Sequence, residues 1–172
     1  MKKGLFDTLD WASIILYITL VFIGIAFIYD TTYSPLNPSF FNLKTSYGKQ
    51  SMFFVLSIIT AIVIVVLDSK FYTTFAYVLF GAVMLLLVGV LIFGVEIKGS
   101  KSWFKFGSIA FQPAELAKFA TALALAKFLS GYNINLERLK DKFQALIILI
   151  IPIALILMQG DVGSMLVFSS LI

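Results

Sequence analysis

Apolar residues run along this 172-residue chain in long unbroken stretches rather than in alternation. The stretches are Trp11–Tyr29, Ser51–Leu67, Phe71–Val95, Gln112–Leu129 and Phe143–Met158, and a sixth opens near Val162. Crossing a bilayer takes about 20 mostly apolar residues. Inside lipid every backbone amide needs an internal partner, so a span is a helix or part of a closed barrel. A barrel would show period-two patterning, which these runs lack. The pattern therefore predicts an all-α, polytopic transmembrane helix bundle with five full spans and a truncated sixth. The first run is too long for a signal-peptide core and has no small-residue cleavage site, so it reads as a retained span. The third is long enough to tilt. The fifth is short and contains Pro152, which predicts a kink or a partly re-entrant course. The sixth reaches Ile172 with too few residues to cross. Residues 1–172 thus read as one transmembrane domain, the N-terminal part of a larger protein.

The connections differ in kind. Asp68–Lys70 is a tight turn, which makes spans two and three a helical hairpin. The segment Tyr33–Gln50 carries Pro35, Pro38 and Gly48 and reads as irregular loop. Glu96–Phe111 reads as a second long loop. Gly131–Lys142 carries Arg138, Lys140 and Lys142.

Composition agrees with the pattern. Hydrophobic residues make up 60% of the chain and charged residues 13%, with a mean hydropathy of +1.02. A soluble domain is about one quarter charged. Cysteine and histidine are both absent. That removes a disulfide framework, a cysteine nucleophile, a Ser-His-Asp triad and a His/Cys zinc site. Chemistry is left to carboxylates, lysine, tyrosine and hydroxyls. The net charge of +4 comes without a basic run, so nucleic acid is not an expected partner. With the N-terminus inside, the inner side holds Lys2, Lys3, Lys70, Lys127, Arg138, Lys140 and Lys142. The outer side holds Lys44, Lys49, Lys98, Lys101 and Lys105. The bias favours a cytoplasmic N-terminus. Five lysines on the translocated side read either as loops that tolerate lysine or as attraction for an anionic, phosphate-bearing lipid.

Three groups of residues carry chemistry. In Gln112-Pro113-Ala114-Glu115-Leu116-Ala117-Lys118, Pro113 suits a first helical turn. Gln112, Glu115 and Lys118 recur every three residues, on one helix face. Charges within a span usually face protein or a wet cavity. Glu115 and Lys118 read equally as an ion pair that fixes packing and as part of a site. Ala114, Ala117, Ala120, Ala122, Ala124 and Ala126 predict close packing of this helix. In Gln159-Gly160-Asp161-Val162-Gly163-Ser164, Asp161 at a helix start reads first as an N-cap, and the glycines permit an unusual backbone path. In Lys98-Gly99-Ser100-Lys101-Ser102-Trp103-Phe104-Lys105-Phe106, bases and aromatics interleave. This reads as an interfacial anchor or as a dock for a phosphorylated headgroup, where lysine supplies point charge. In the N-inside topology all three groups fall at the outer leaflet.

These strings resemble the signature of the SEDS family (shape, elongation, division and sporulation; RodA, FtsW and SpoVE). Its pattern is a Gly-x-x-Arg-Trp loop, then Phe-Gln-Pro-[Ser/Ala]-Glu-x-x-Lys, then Gln-Pro-Asp-x-Gly-Thr. Here they stand as Gly99 to Trp103, Phe111 to Lys118 and Gln159 to Ser164. Lys49-Gln50 stands where many members have Arg-Gln. The likeness covers essentially the whole chain and is nearer the elongation branch than the division branch. It departs at Ser102 in place of Arg, at Gly160 in place of Pro and at Ser164 in place of Thr.

The resemblance implies a peptidoglycan glycosyltransferase that polymerises lipid II at the outer face of the bacterial cytoplasmic membrane, beside a class B penicillin-binding transpeptidase. It assigns Glu115, Lys118 and Asp161 to activity. Lys101, Lys105, Lys49, Trp103 and Gln112 are the expected substrate contacts, with the two loop lysines on the diphosphate. No metal site and no cofactor motif is evident. A magnesium or manganese ion on Asp or Glu ligands is the one cofactor the chemistry leaves open. Family members have about ten spans, and their proposed catalytic Asp follows span six. This chain alone is therefore expected to be inactive. A lipid II flippase and a noncatalytic scaffold of the cell-wall complex are the rival readings.

Overall fold

A computed structural model describes residues 9–32, 45–107, 109–132 and 134–171. The described residues fall into two compact units, Met1–Val66 and Leu67–Ile172.

The first unit contains α1 (Trp11–Thr32) and α2 (Ser46–Val66). Asp10 starts α1: its Oδ1 accepts from the amide of Ala12 at 3.1 Å, and its Oδ2 accepts from Ser13 Oγ at 2.5 Å. The first of these bonds uses an amide that has no partner within the helix. The helices meet through edge-on aromatic pairs, Phe22 with Phe54 and Tyr29 with Tyr47, at ring separations of 5.4 and 5.1 Å. Apolar side chains such as Leu16, Phe27, Val55 and Ile62 stay exposed, as suits a surface solvated by lipid. α2 begins five residues before the apolar run does, so Lys49 and Gln50 are helical. The rest of the loop expected before Gln50 lies largely outside the described residues.

The second unit holds α3 (Ser69–Phe93), a three-stranded sheet of β1 (Val95–Ile97), β2 (Ser100–Phe106) and β3 (Ile109–Phe111), then α4 (Pro113–Leu129), α5 (Leu139–Met158) and α6 (Val162–Phe168). The Asp68 carboxylate caps α3 by accepting from the Lys70 amide at 2.9 Å. The core joins Val83, Met84 and Leu87 of α3 to Ala114, Ala117 and Ala120 of α4, Ile156 of α5 and Phe168 of α6. Ala114, Ala117, Thr121 and Ala124 repeat at helical spacing and are fully buried. Small side chains let neighbouring helices approach closely, as the alanine pattern predicts at Ala114, Ala117, Ala120 and Ala124, whereas Ala122 is half-buried and Ala126 exposed. α5 starts four residues earlier than the apolar run and stays helical through Pro152.

Among the described residues four helices, α1, α2, α3 and α5, are long and apolar enough to cross a membrane. The chain is thus a mostly helical, multi-pass membrane protein. α4 has 17 residues, or about 25 Å of rise, somewhat short of a hydrocarbon core of about 30 Å.

One expectation is corrected. The segment after α3 is an antiparallel sheet, with order β1-β2-β3, and the fold is therefore not purely α. Ile97 pairs with Ser100, which leaves Lys98-Gly99 as a two-residue turn. Both turn residues have positive φ, 54° and 87°. That is the turn whose twist suits a hairpin. Phe106 pairs with Ile109, and Gly107 after Phe106 has φ 60°. The signals were on the chain: Gly-Ser between two aromatic-rich runs is a hairpin signature.

Candidate functional site

α5 ends in a tightly specified corner. The Gly160 amide donates to the Leu157 carbonyl at 2.9 Å, and the Asp161 amide donates to the Ile156 carbonyl at 3.3 Å. This pair of bonds with a left-handed residue between them is a Schellman cap, and Gly160 supplies the residue at φ 75°. Proline, fixed near φ −65°, could not hold this geometry. The Gly160 departure from the SEDS pattern is therefore tied to the way the helix ends here. A Cβ built on Gly160 would lie 3.5 Å from the Gly99 carbonyl, so the corner sits against the β1–β2 turn. The Lys101 amide reinforces that contact by donating to the Gln159 carbonyl at 2.9 Å.

Gln159 is almost wholly buried, and its Nε2 donates to the Leu87 carbonyl in the C-terminal half of α3 at 3.1 Å. Asp161 comes next and caps α6. Its Oδ1 accepts from the Ser164 amide at 3.0 Å, and its Oδ2 accepts from Ser164 Oγ at 2.8 Å. The same Oδ2 accepts from Gln112 Nε2 at 2.5 Å. Gln112 precedes α4 in extended conformation and makes no side-chain bond to its own helix. It is free to reach across because Pro113, at the first helical position, needs no amide partner. The N-cap reading of Asp161 is correct, and it is incomplete, because the carboxylate also joins the heads of α4 and α6.

Beside this bond lies a cavity of about 440 Å³, lined by Ile97, Lys98, Ser100, Trp103, Ala110, Gln112 and Asp161. The lining comes from the hairpin, the strand before α4 and the α5–α6 corner. The structure brings three of the expected site residues together here: Trp103, Gln112 and Asp161. It leaves the others elsewhere. Lys101 Nζ donates to the Ile92 carbonyl at 3.3 Å, at the C-terminal end of α3, where a cation complements the helix dipole. Lys105 is exposed on β2 opposite Ala110, and neither lysine lines the cavity. Lys49 belongs to α2 of the first unit. Glu115 and Lys118 form an ion pair of 2.8 Å on α4, with side chains 60% and 28% exposed. Gln112 does not extend that face, because it turns to Asp161.

Sequence reasoning missed Lys98 as a lining residue. The two-residue hairpin that places it was the signal that would have found it. Ser102, where the SEDS pattern has Arg, is fully buried, and the Ser100 and Ser102 hydroxyls share a hydrogen bond of 2.9 Å. Among the described residues no group of three or more carboxylates forms a ready metal cage.

Comparison with known proteins adds a family and a set of relatives. A family model described as a cell cycle protein, covering FtsW, RodA and SpoVE, matches residues 10–172. The chain is 31% identical to the peptidoglycan glycosyltransferase RodA of Treponema pallidum over 162 residues, 94% of this chain and 36% of that one. It is 31% identical over 170 residues to the probable peptidoglycan glycosyltransferase FtsW of Haemophilus ducreyi, 96% of this chain and 41% of that one. The chain thus spans well under half the length of these relatives. The crystal structure of the rod shape determining protein RodA from Thermus thermophilus matches with a TM-score of 0.78 at 32% identity, over 94% of this chain and 50% of that one. A structure of a peptidoglycan synthase complex that coordinates polymerization and crosslinking matches with a TM-score of 0.76 at 33% identity, over 94% of this chain and 45% of that one.

Proposed function

The chain belongs to the FtsW/RodA/SpoVE family, and from that premise we propose that the complete protein is a peptidoglycan glycosyltransferase that polymerises lipid II. The observation that carries this reading is the cavity where Trp103, Gln112 and Asp161, from three separate motifs, gather around one hydrogen-bonded carboxylate. The names of the relatives support the reaction. Five full spans with a sixth opening at Val162 count α4 as a span. An N-terminus in the cytoplasm puts the hairpin and the α5–α6 corner at the outer leaflet of the bacterial cytoplasmic membrane.

In this reading the acceptor's sugar hydroxyl attacks the donor's anomeric carbon, and the lipid diphosphate leaves. A carboxylate takes the hydroxyl proton, and cations steady the departing charge. Asp161 is held by three donors, which fixes its direction toward the cavity. Glu115 and Lys118 form a second polar station on α4. A charge pair is costly against lipid, so this face suits a wet or protein-lined cleft. A divalent ion on Asp161 or Glu115 would supply Lewis-acid help to the diphosphate. A class B penicillin-binding transpeptidase is the expected partner, which fits the similarity to a synthase complex.

The reading is tested by supplying purified lipid II to the complete protein, with and without its transpeptidase, and resolving glycan strands by gel. Strands that disappear on Glu115→Ala support it. Binding of lipid II without strands under any condition would move the assignment to a flippase or scaffold.

A further inference from the structure

We infer that Lys98 is the cation that holds the diphosphate of the ligand in this cavity. The inference rests on the lipid II reading above and names a residue for it. Three observations converge on the side chain. Lys98 lines the cavity with Trp103, Gln112 and Asp161. Its backbone lies at φ 54°, a left-handed conformation that glycine or asparagine adopts far more readily. The turn geometry therefore gives no local reason for lysine at this position. Among the described residues, no carbonyl or carboxylate accepts a hydrogen bond or an ion pair from its ammonium.

The other loop lysines are differently placed. Lys101 is engaged with the end of α3, and Lys105, exposed on β2, is not among the residues that line the cavity. Asp161 would repel an anion if it stood bare. Here three donors from Ser164 and Gln112 satisfy its oxygens, so a carboxylate and a phosphate can share the cavity. Lysine serves as a point charge for phosphate without demanding one fixed geometry. Trp103 beside it offers an apolar, ring-shaped wall for a sugar or the first isoprene unit.

The test measures binding of undecaprenyl diphosphate, and separately of inorganic diphosphate, to the complete protein in phosphatidylcholine nanodiscs. Lys98→Asn removes the charge and keeps a residue that tolerates the left-handed turn. We expect it to weaken undecaprenyl diphosphate binding roughly tenfold or more, as loss of a charge-assisted bond does. Lys98→Arg should restore affinity to within about threefold of the parent, and Lys101→Ala and Lys105→Ala should bind like the parent, because a charge is being read at one position. If inorganic diphosphate shows the same dependence, the headgroup alone is recognised. If only the lipid binds, the lipid-linked form is recognised, with Lys98 still its cation. Parental binding by Lys98→Asn, or an Arg variant no better than Asn, overturns the assignment while lipid II polymerisation by the parent stands. A parent that neither binds nor polymerises sinks the reading of the whole site, and Lys98 with it.

Discussion

One short motif at the head of α4 takes part in two polar pairs of opposite character. Glu115 and Lys118 are three residues apart, exposed, and bonded within their own helix. Gln112 and Asp161 are 49 residues apart and partly buried, and their bond joins two helix starts across the unit. The first pair follows from helical spacing and would form in almost any helix. The second exists only because the fold brings the α5–α6 corner beneath the β1–β2 hairpin. An exposed pair adds at most a few tenths of a kcal/mol to stability, so a large functional loss on altering it would point to chemistry. The long-range pair shapes structure and site together, and the two roles have to be separated by choice of substitution.

The comparison is broken most severely at the corner. Gly160→Pro removes the amide bond to Leu157 and forbids φ 75°, so it should destabilise by about 3 kcal/mol or more and abolish activity. Thermal unfolding in detergent reads the first effect and glycan-strand assays the second. Gly160→Ala, which keeps the amide but not the freedom, should cost about 1–2 kcal/mol in the same assay. Asp161→Ala comes next. It strips three bonds and should cost roughly 1–3 kcal/mol, because Gln112 and Ser164 are left without their acceptor. Reversing the exposed pair, Glu115→Lys with Lys118→Glu, should leave the melting transition within about 0.5 kcal/mol of the parent. If activity nonetheless falls tenfold or more, the pair is functional; unchanged activity would reduce it to packing.

The smallest effect belongs to the first unit. The Ser13 hydroxyl and amide hold the Asp10 carboxyl below its ordinary value of 3.8. A depressed folded-state value means the contribution is complete above the unfolded value and is lost as pH falls through the folded one. The start of α1 should therefore fray only below about pH 4. Amide exchange at Ala12 and Ser13 should show this in the parent, and Asp10→Asn should flatten the dependence.

Much of this was legible along the chain. The apolar runs gave the helices because lipid imposes length and continuity. The alanine stripe of α4 gave its buried face, and Asp161 declared itself a cap. What stayed hidden was whatever depends on two distant segments meeting. Lys101 and Lys105 attracted attention by charge, yet one bonds to the end of α3 and the other is exposed without lining the cavity. Lys98 stands in the same interleaved run but not among the expected substrate contacts, and its place in the cavity depends on a turn that reads as loop when the Lys-Gly and Gly-Ser pairs are not weighed. Gly160 reads as a mere departure from Pro until the Schellman cap shows why φ must be positive there.

The most direct measurement is the rate of lipid II polymerisation by the complete protein carrying Asp161→Asn. Asparagine still caps α6 by accepting from the Ser164 amide with its amide oxygen, and its NH2 can donate to the Gln112 side-chain oxygen once that amide turns over, so folding should be kept while the charge is lost. The account predicts a melting transition close to the parent's and a rate at least tenfold lower, as loss of one acid–base or electrostatic group does. Strands made at the parental rate by a folded Asp161→Asn protein would contradict it, leaving the Gln112–Asp161 bond as architecture alone.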